Sequence, residues 1–161
     1  MLRKIALSTA LAVGLALAGA SAAFAGTTVE VTLSDQGSSA EMGTDLGMAM
    51  GGDKSKAVMS VTATPAEIPA GEVTFHATNA SKELVHEMIL VRIDDQTKPL
   101  PYIDAEGRVD EDAAGHLGEV SELDPGKDGS LTLTLTPGTY MLFCNLPPHY
   151  AAGMWTLVTV K

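Results

Sequence analysis

An all-β, two-layer sandwich is the fold this sequence predicts, and three observations predict it. Short runs alternate apolar with polar residues, as in Val29, Val31 and Leu33 against Thr28, Glu30 and Thr32, or Leu131, Leu133 and Leu135 against Ser130, Thr132 and Thr134. Pro and Gly punctuate these runs at Pro69-Ala70-Gly71, Asp124-Pro125-Gly126 and Pro137-Gly138. No stretch sustains a helical period. Alternation marks strands with one buried face, Gly/Pro clusters mark tight connections, and many such strands without helices pack as two sheets, here read as antiparallel.

The elements follow in order. Residues 1–25 read as a secretory signal: Arg3 and Lys4 precede an apolar run from Ile5 to Ala18, and Ala23-Phe24-Ala25 has the small-x-small form of a cleavage site. The run is short and rich in Ala and Gly, and no later segment approaches the length of a membrane span. With no cysteine beside the cleavage site to carry a lipid, a soluble periplasmic domain of residues 26–161 is expected. Its first strand centres on Val29 to Leu33. From 34 to 56 the pattern dissolves into Gly, Ser, Asp and Met, which reads as a mobile loop. Strands resume at 57–63 and 72–78, the second placing Val73, Phe75 and Ala77 on one face and His76 on the solvent side. Asn79-Ala80-Ser81-Lys82 turns into a strand from His86 to Ile93, apolar on both faces as a central strand is. Residues 94–122 are an acidic excursion broken by Pro and Gly, with a short helix expected near 110–114. Strands at 130–136, 139–144 and 155–160 complete the chain, which is long enough to bury a core without help from a metal.

Composition narrows the function. Ten Lys and Arg face 20 Asp and Glu, a net charge of −10, and loss of Arg3 and Lys4 with the signal makes it −12. Such a chain does not bind a nucleic-acid backbone, and its charge suits steering toward a basic patch as well as solubility. A single cysteine, Cys144, excludes an internal disulfide. It pairs between molecules, stays a reactive thiol, or holds a metal.

The stretch around it favours the metal. Cys144, His149 and Met154 stand in a Cys-x4-His-x4-Met spacing that one short loop can wrap around a single ion. Thiolate, imidazole and thioether together suit copper cycling between Cu(I) and Cu(II). The loop lacks a second histidine. His86 is the best candidate, in a strongly strand-like run beside Leu84, Met88 and Leu90 on its alternation face.

At this point the chain resembles the cupredoxins, the small blue copper proteins such as plastocyanin, rusticyanin and the sulfocyanin-like proteins. The resemblance rests on residues 68–75, Asn79, His86-Glu87, Asp124-Pro125-Gly126, Pro137-Gly138-Thr139-Tyr140 and the ligand loop, and covers roughly 57–161. It implies a Greek-key sandwich of about seven to eight strands, with one type 1 copper ion as cofactor. It also implies roles: His86, Cys144 and His149 in the trigonal plane, Met154 as the long axial ligand, and His149 at the surface as the electron exit. Two positions depart from many relatives: Pro148 precedes His149 where Gly is common, and Glu87 follows His86 where azurin-like members have Asn.

The function expected is a monomeric periplasmic carrier of single electrons, exchanging them with a cytochrome or copper oxidoreductase. The alternative is copper tolerance or delivery, with Met42, Met48 and Met50 as an auxiliary Cu(I) site. An enzyme is disfavoured because the four histidines include no His-x-His pair and one cysteine cannot build a binuclear centre. His76 and His116 read as exposed polar residues, and the methionines of the loop read equally well as packing side chains.

Overall fold

The structure is a computed structural model that describes residues 26–161; the expected signal lies outside the described residues. Eleven strands are described, eight of them longer than two residues: β1 (Thr27–Asp35), β2 (Met59–Thr64), β3 (Glu67–Ile68), β4 (Gly71–Asn79), β5 (His86–Ile93), β6 (Tyr102–Ile103), β7 (Arg108–Val109), β8 (His116–Leu123), β9 (Asp128–Leu135), β10 (Gly138–Phe143) and β11 (Trp155–Val160). They form a four-stranded sheet in the order β2-β1-β4-β9, a five-stranded sheet in the order β3-β11-β10-β5-β8, and the small β6-β7 ribbon. Pairing is mixed rather than purely antiparallel, because β1 runs parallel to β4 and β3 parallel to β11. One α-helical turn, α1 (Glu111–Ala114), falls where the sequence placed a helix, between the Asp110 side chain that accepts from the Ala113 amide and a left-handed Gly115.

The alternation seen in the sequence becomes the core. Val29, Val31 and Leu33 of β1 and Val73, Phe75 and Ala77 of β4 meet Met88 and Leu90 of β5, Leu142 of β10 and Val158 of β11 between the sheets. Strand β5 is buried on both faces. Its other face, Ile89, Val91 and Ile93, joins Met141, Phe143 and Tyr150 in a second cluster outside the sandwich. Burying each such side chain contributes about 1.5–3 kcal/mol, so this outer face must be covered. The acidic excursion covers it with Leu100 and Val109, and the 34–56 segment adds Met48.

Strand β8 was not foreseen. It lies at the edge of its sheet beside β5, and only Val120 and Leu123 are buried along its eight residues. A mostly solvated edge leaves little alternation to read.

The segment read as a mobile loop contains a single 3-10 turn (Lys54–Lys56) and is tied down at several points. The Leu46 amide donates to the Ala151 carbonyl at 2.8 Å, and the Trp155 indole N–H donates to the Leu46 carbonyl at 2.8 Å. The Lys54 ammonium sits 3.4 Å over the Trp155 ring.

Candidate metal centre

Three neighbouring strand ends of the five-stranded sheet supply the site. His86 opens β5, Cys144 directly follows β10, and Met154 directly precedes β11. At His86 the ladder to β8 slips: His86 pairs with Leu123 but Met88 pairs with Val120, so two residues of β8 face one of β5. Bulges of this kind re-aim a side chain at the rim of a sheet.

Between Cys144 and Met154 the chain closes on itself through its own backbone. The Cys144 amide donates to the Met154 carbonyl at 3.1 Å, the Met154 amide to the His149 carbonyl at 3.0 Å, and the Ala152 amide to the Pro148 carbonyl at 3.0 Å. These bonds fix a short loop whose three donor side chains are all buried: Cys144 and Met154 at 0 % exposure and His149 at 6 %. His149, expected at the surface, therefore offers solvent no more than a ring edge.

The donors converge. His149 Nδ1 lies 3.2 Å from Cys144 Sγ, His86 Nδ1 lies 3.3 Å from His149 Nδ1, and His86 Nδ1 lies 3.9 Å from Cys144 Sγ. Separations of 3 to 4 Å suit nitrogen and sulfur donors sharing one ion at bond lengths of about 2.0–2.3 Å. Two imidazoles, a thiol and a buried thioether are the donor set of an electron-transfer copper site, so the residues present fit copper. Of the other sequence candidates, Met48 and Met50 pack on the outer cluster while Met42 packs on the inner one. His116 gathers with Glu111 and Glu119 at the surface, and His76 lies on the outer face of β4 between Glu30 and Asp128.

Burial dominates the electrostatics. It pushes the Cys144 thiol up to about 12 and, with the neighbouring His86, brings His149 down to about 4. His86 is also lowered by burial, against the pull of Asp35. Glu87 is raised to about 7, again chiefly by burial. Burial thus disfavours charge on both rings and on the thiol, and a bound cation would offset this by stabilising the thiolate.

Two supporting residues escaped the sequence reading. Asp35, at the end of β1, brings Oδ2 to 2.8 Å from His86 Nε2. Asn145, next to the thiol, is buried and clamps the excursion to the loop: the Val109 amide donates to its Oδ1 at 2.7 Å, its Nδ2 donates to Val109 O and to Glu111 Oε1, and its amide donates to Glu87 Oε1 at 3.0 Å. The Glu87 amide in turn points at Cys144 Sγ, 3.5 Å away.

Comparison with known proteins agrees with this geometry. The family described as copper binding proteins, plastocyanin/azurin family, matches residues 46–161. Among solved structures, reduced auracyanin from the photosynthetic bacterium Roseiflexus castenholzii is similar at 24 % identity, covering 86 % of this chain and 99 % of its own, with a TM-score of 0.52. Rusticyanin from Thiobacillus ferrooxidans is similar at 21 % identity over 86 % of this chain and 80 % of its own, with a TM-score of 0.51. These two share the sandwich fold. No curated protein matches in sequence.

Proposed function

The chain belongs to the plastocyanin/azurin family of copper-binding proteins, and from that premise we propose that it carries single electrons on one copper ion held by His86, Cys144, His149 and Met154. The observation that carries this reading is the convergence of His86 Nδ1, Cys144 Sγ and His149 Nδ1 at the end of one sheet. Copper, when bound, supplies a one-electron Cu(I)/Cu(II) couple. The chain's own residues do the rest. His86 and Cys144 are anchored at the ends of adjacent strands, β5 and β10, which limits rearrangement between oxidation states. The Glu87 amide directed at the sulfur and the apolar packing of Met154 within the inner cluster set the polarity around the site. The edge of His149 is the point nearest solvent among the three converging donors, and electrons pass to and from a redox protein there.

Cellular location and partner belong to the same proposal. The apolar segment ahead of Gly26 exports the chain, the working form is a periplasmic monomer, and an acidic domain meets a partner with a basic docking face.

The test is to load purified protein with Cu(II), record its visible and paramagnetic resonance spectra, and titrate with a mild reductant. Intense visible absorption that bleaches on reduction is expected, and Cys144→Ser should lose it. A Cys144→Ser protein with the same colour would sink the ligand assignment. Rapid loss of Cu(I) to an added chelating acceptor, in place of retention through repeated redox cycles, would instead mark the metal as cargo.

A further inference from the structure

We propose that Asp35 is a positioning residue for the metal centre: its buried carboxylate accepts a hydrogen bond from the Nε2–H of His86, which keeps that proton on Nε2, turns the bare Nδ1 toward the site, and lowers the reduction potential of the ion held there.

The contact is short and dry. His86 Nε2 and Asp35 Oδ2 are 2.8 Å apart, with side-chain exposures of 0 % and 3 %. A neutral imidazole has one proton for two nitrogens, and an ionised carboxylate only accepts. The proton therefore sits on Nε2, and the lone pair is left on Nδ1, the nitrogen that faces Cys144 Sγ and His149 Nδ1. Metal-binding histidines are commonly held this way through their remote nitrogen, which fixes the ring and makes it a better donor.

Asp35 is itself held in place. The Gly37 amide donates to its other oxygen, Oδ1, at 2.6 Å, across a turn in which Gly37 adopts φ +95, a conformation that side chains disfavour. Asp35 also belongs to the opposite sheet from β5, β10 and β11, the strands that present the donors, because β1 lies in the β2-β1-β4-β9 layer. A fixed negative charge one imidazole away from the ion favours Cu(II), the more positive state, over Cu(I).

This inference rests on His86 being a ligand, and the two claims can fail separately. His86→Ala tests ligation: it should abolish the visible band, and a retained band overturns ligation and the inference with it. Asp35→Asn keeps the shape of the side chain and removes its charge. That variant should keep the band and lose Cu(II) affinity by about tenfold to a hundredfold, with a smaller loss for Cu(I). Its potential should rise by about 59 mV for each tenfold of that difference. An unchanged potential in a folded, copper-loaded Asp35→Asn protein overturns the role of Asp35 and leaves ligation standing. If the variant does not fold, nitrogen-15 NMR of the metal-free wild-type chain decides. A His86 proton on Nε2 is the expected result, and a proton on Nδ1 with a bare Nε2 overturns the proposal.

Discussion

Among the described residues no side-chain hydrogen bond holds Met154, so its position is set by its backbone bonds and by packing. Its amide donates to the His149 carbonyl and its carbonyl accepts from the Cys144 amide, which fixes the main chain, and its side chain is buried with the inner cluster. Replacing it by leucine keeps shape and burial but removes the sulfur lone pairs. Met154→Leu should therefore retain copper and raise the potential, since losing a donor costs Cu(II) more than Cu(I); cyclic voltammetry of the two proteins reads the difference. Gly153, one residue earlier, has less freedom still. It sits at φ +94, and a Cβ there would come within 2.6 Å of the Ala57 Cβ. Gly153→Ala should lower stability by about 1–2 kcal/mol for the backbone alone, with a further loss from the clash, measurable as a drop in thermal midpoint. It should also broaden the paramagnetic resonance spectrum, because the strain is placed next to a donor.

At the level of strands, the outer face of β4 carries a cross-strand polar ladder. His76 Nδ1 meets Glu30 Oε2 of β1 at 2.9 Å and His76 Nε2 meets Asp128 Oδ2 of β9 at 3.3 Å. These two partners, Glu30 first, raise the histidine above its ordinary value of 6.5. Stability from a raised histidine is fully present below that ordinary value and is lost as pH rises through the folded one. The thermal midpoint of the wild type should thus exceed that of His76→Gln at about pH 5.5, and the gap should close on the alkaline side; a gap that widened with pH would contradict the ladder. The same strands show what sequence can and cannot reveal. Strand β4 was legible because Val73, Phe75 and Ala77 face a core while their neighbours face water, and β5 because both its faces are covered. Strand β8 was hidden by its solvated edge. Within the site, Cys144, His149 and Met154 were legible because eleven consecutive residues carry all three, and His86 because the set lacked an imidazole. Asp35 was not. It reaches His86 across 51 residues of chain and from the other sheet, a meeting that only the stacking of layers creates. Asn145 was missed for a similar reason, since its partners lie 34 to 36 residues away in the excursion.

For the molecule as a whole, the long connections act as a second coat over the five-stranded sheet. The 34–56 segment and the excursion close over Ile89, Val91, Met141 and Phe143, and the first of them also grips the donor loop through Leu46, Ala151 and Trp155. Trp155→Phe keeps an aromatic ring and deletes the part-buried bond to the Leu46 carbonyl, a loss of about 1 kcal/mol. Hydrogen exchange in residues 46–57 should quicken in that variant while exchange in β4 and β5 stays slow; equal acceleration everywhere would mean that the coat and the sandwich open as one unit. The bond from His86 to Asp35 has a wider meaning in this frame. Three sides of the donor set ride on one sheet and the fourth restraint rides on the other, so any small slip of one layer over its neighbour tilts a single imidazole. Under hydrostatic pressure or mild denaturant the hue of the loaded protein should begin to drift before the strands themselves give way, making the chromophore a strain gauge for how the two halves are seated.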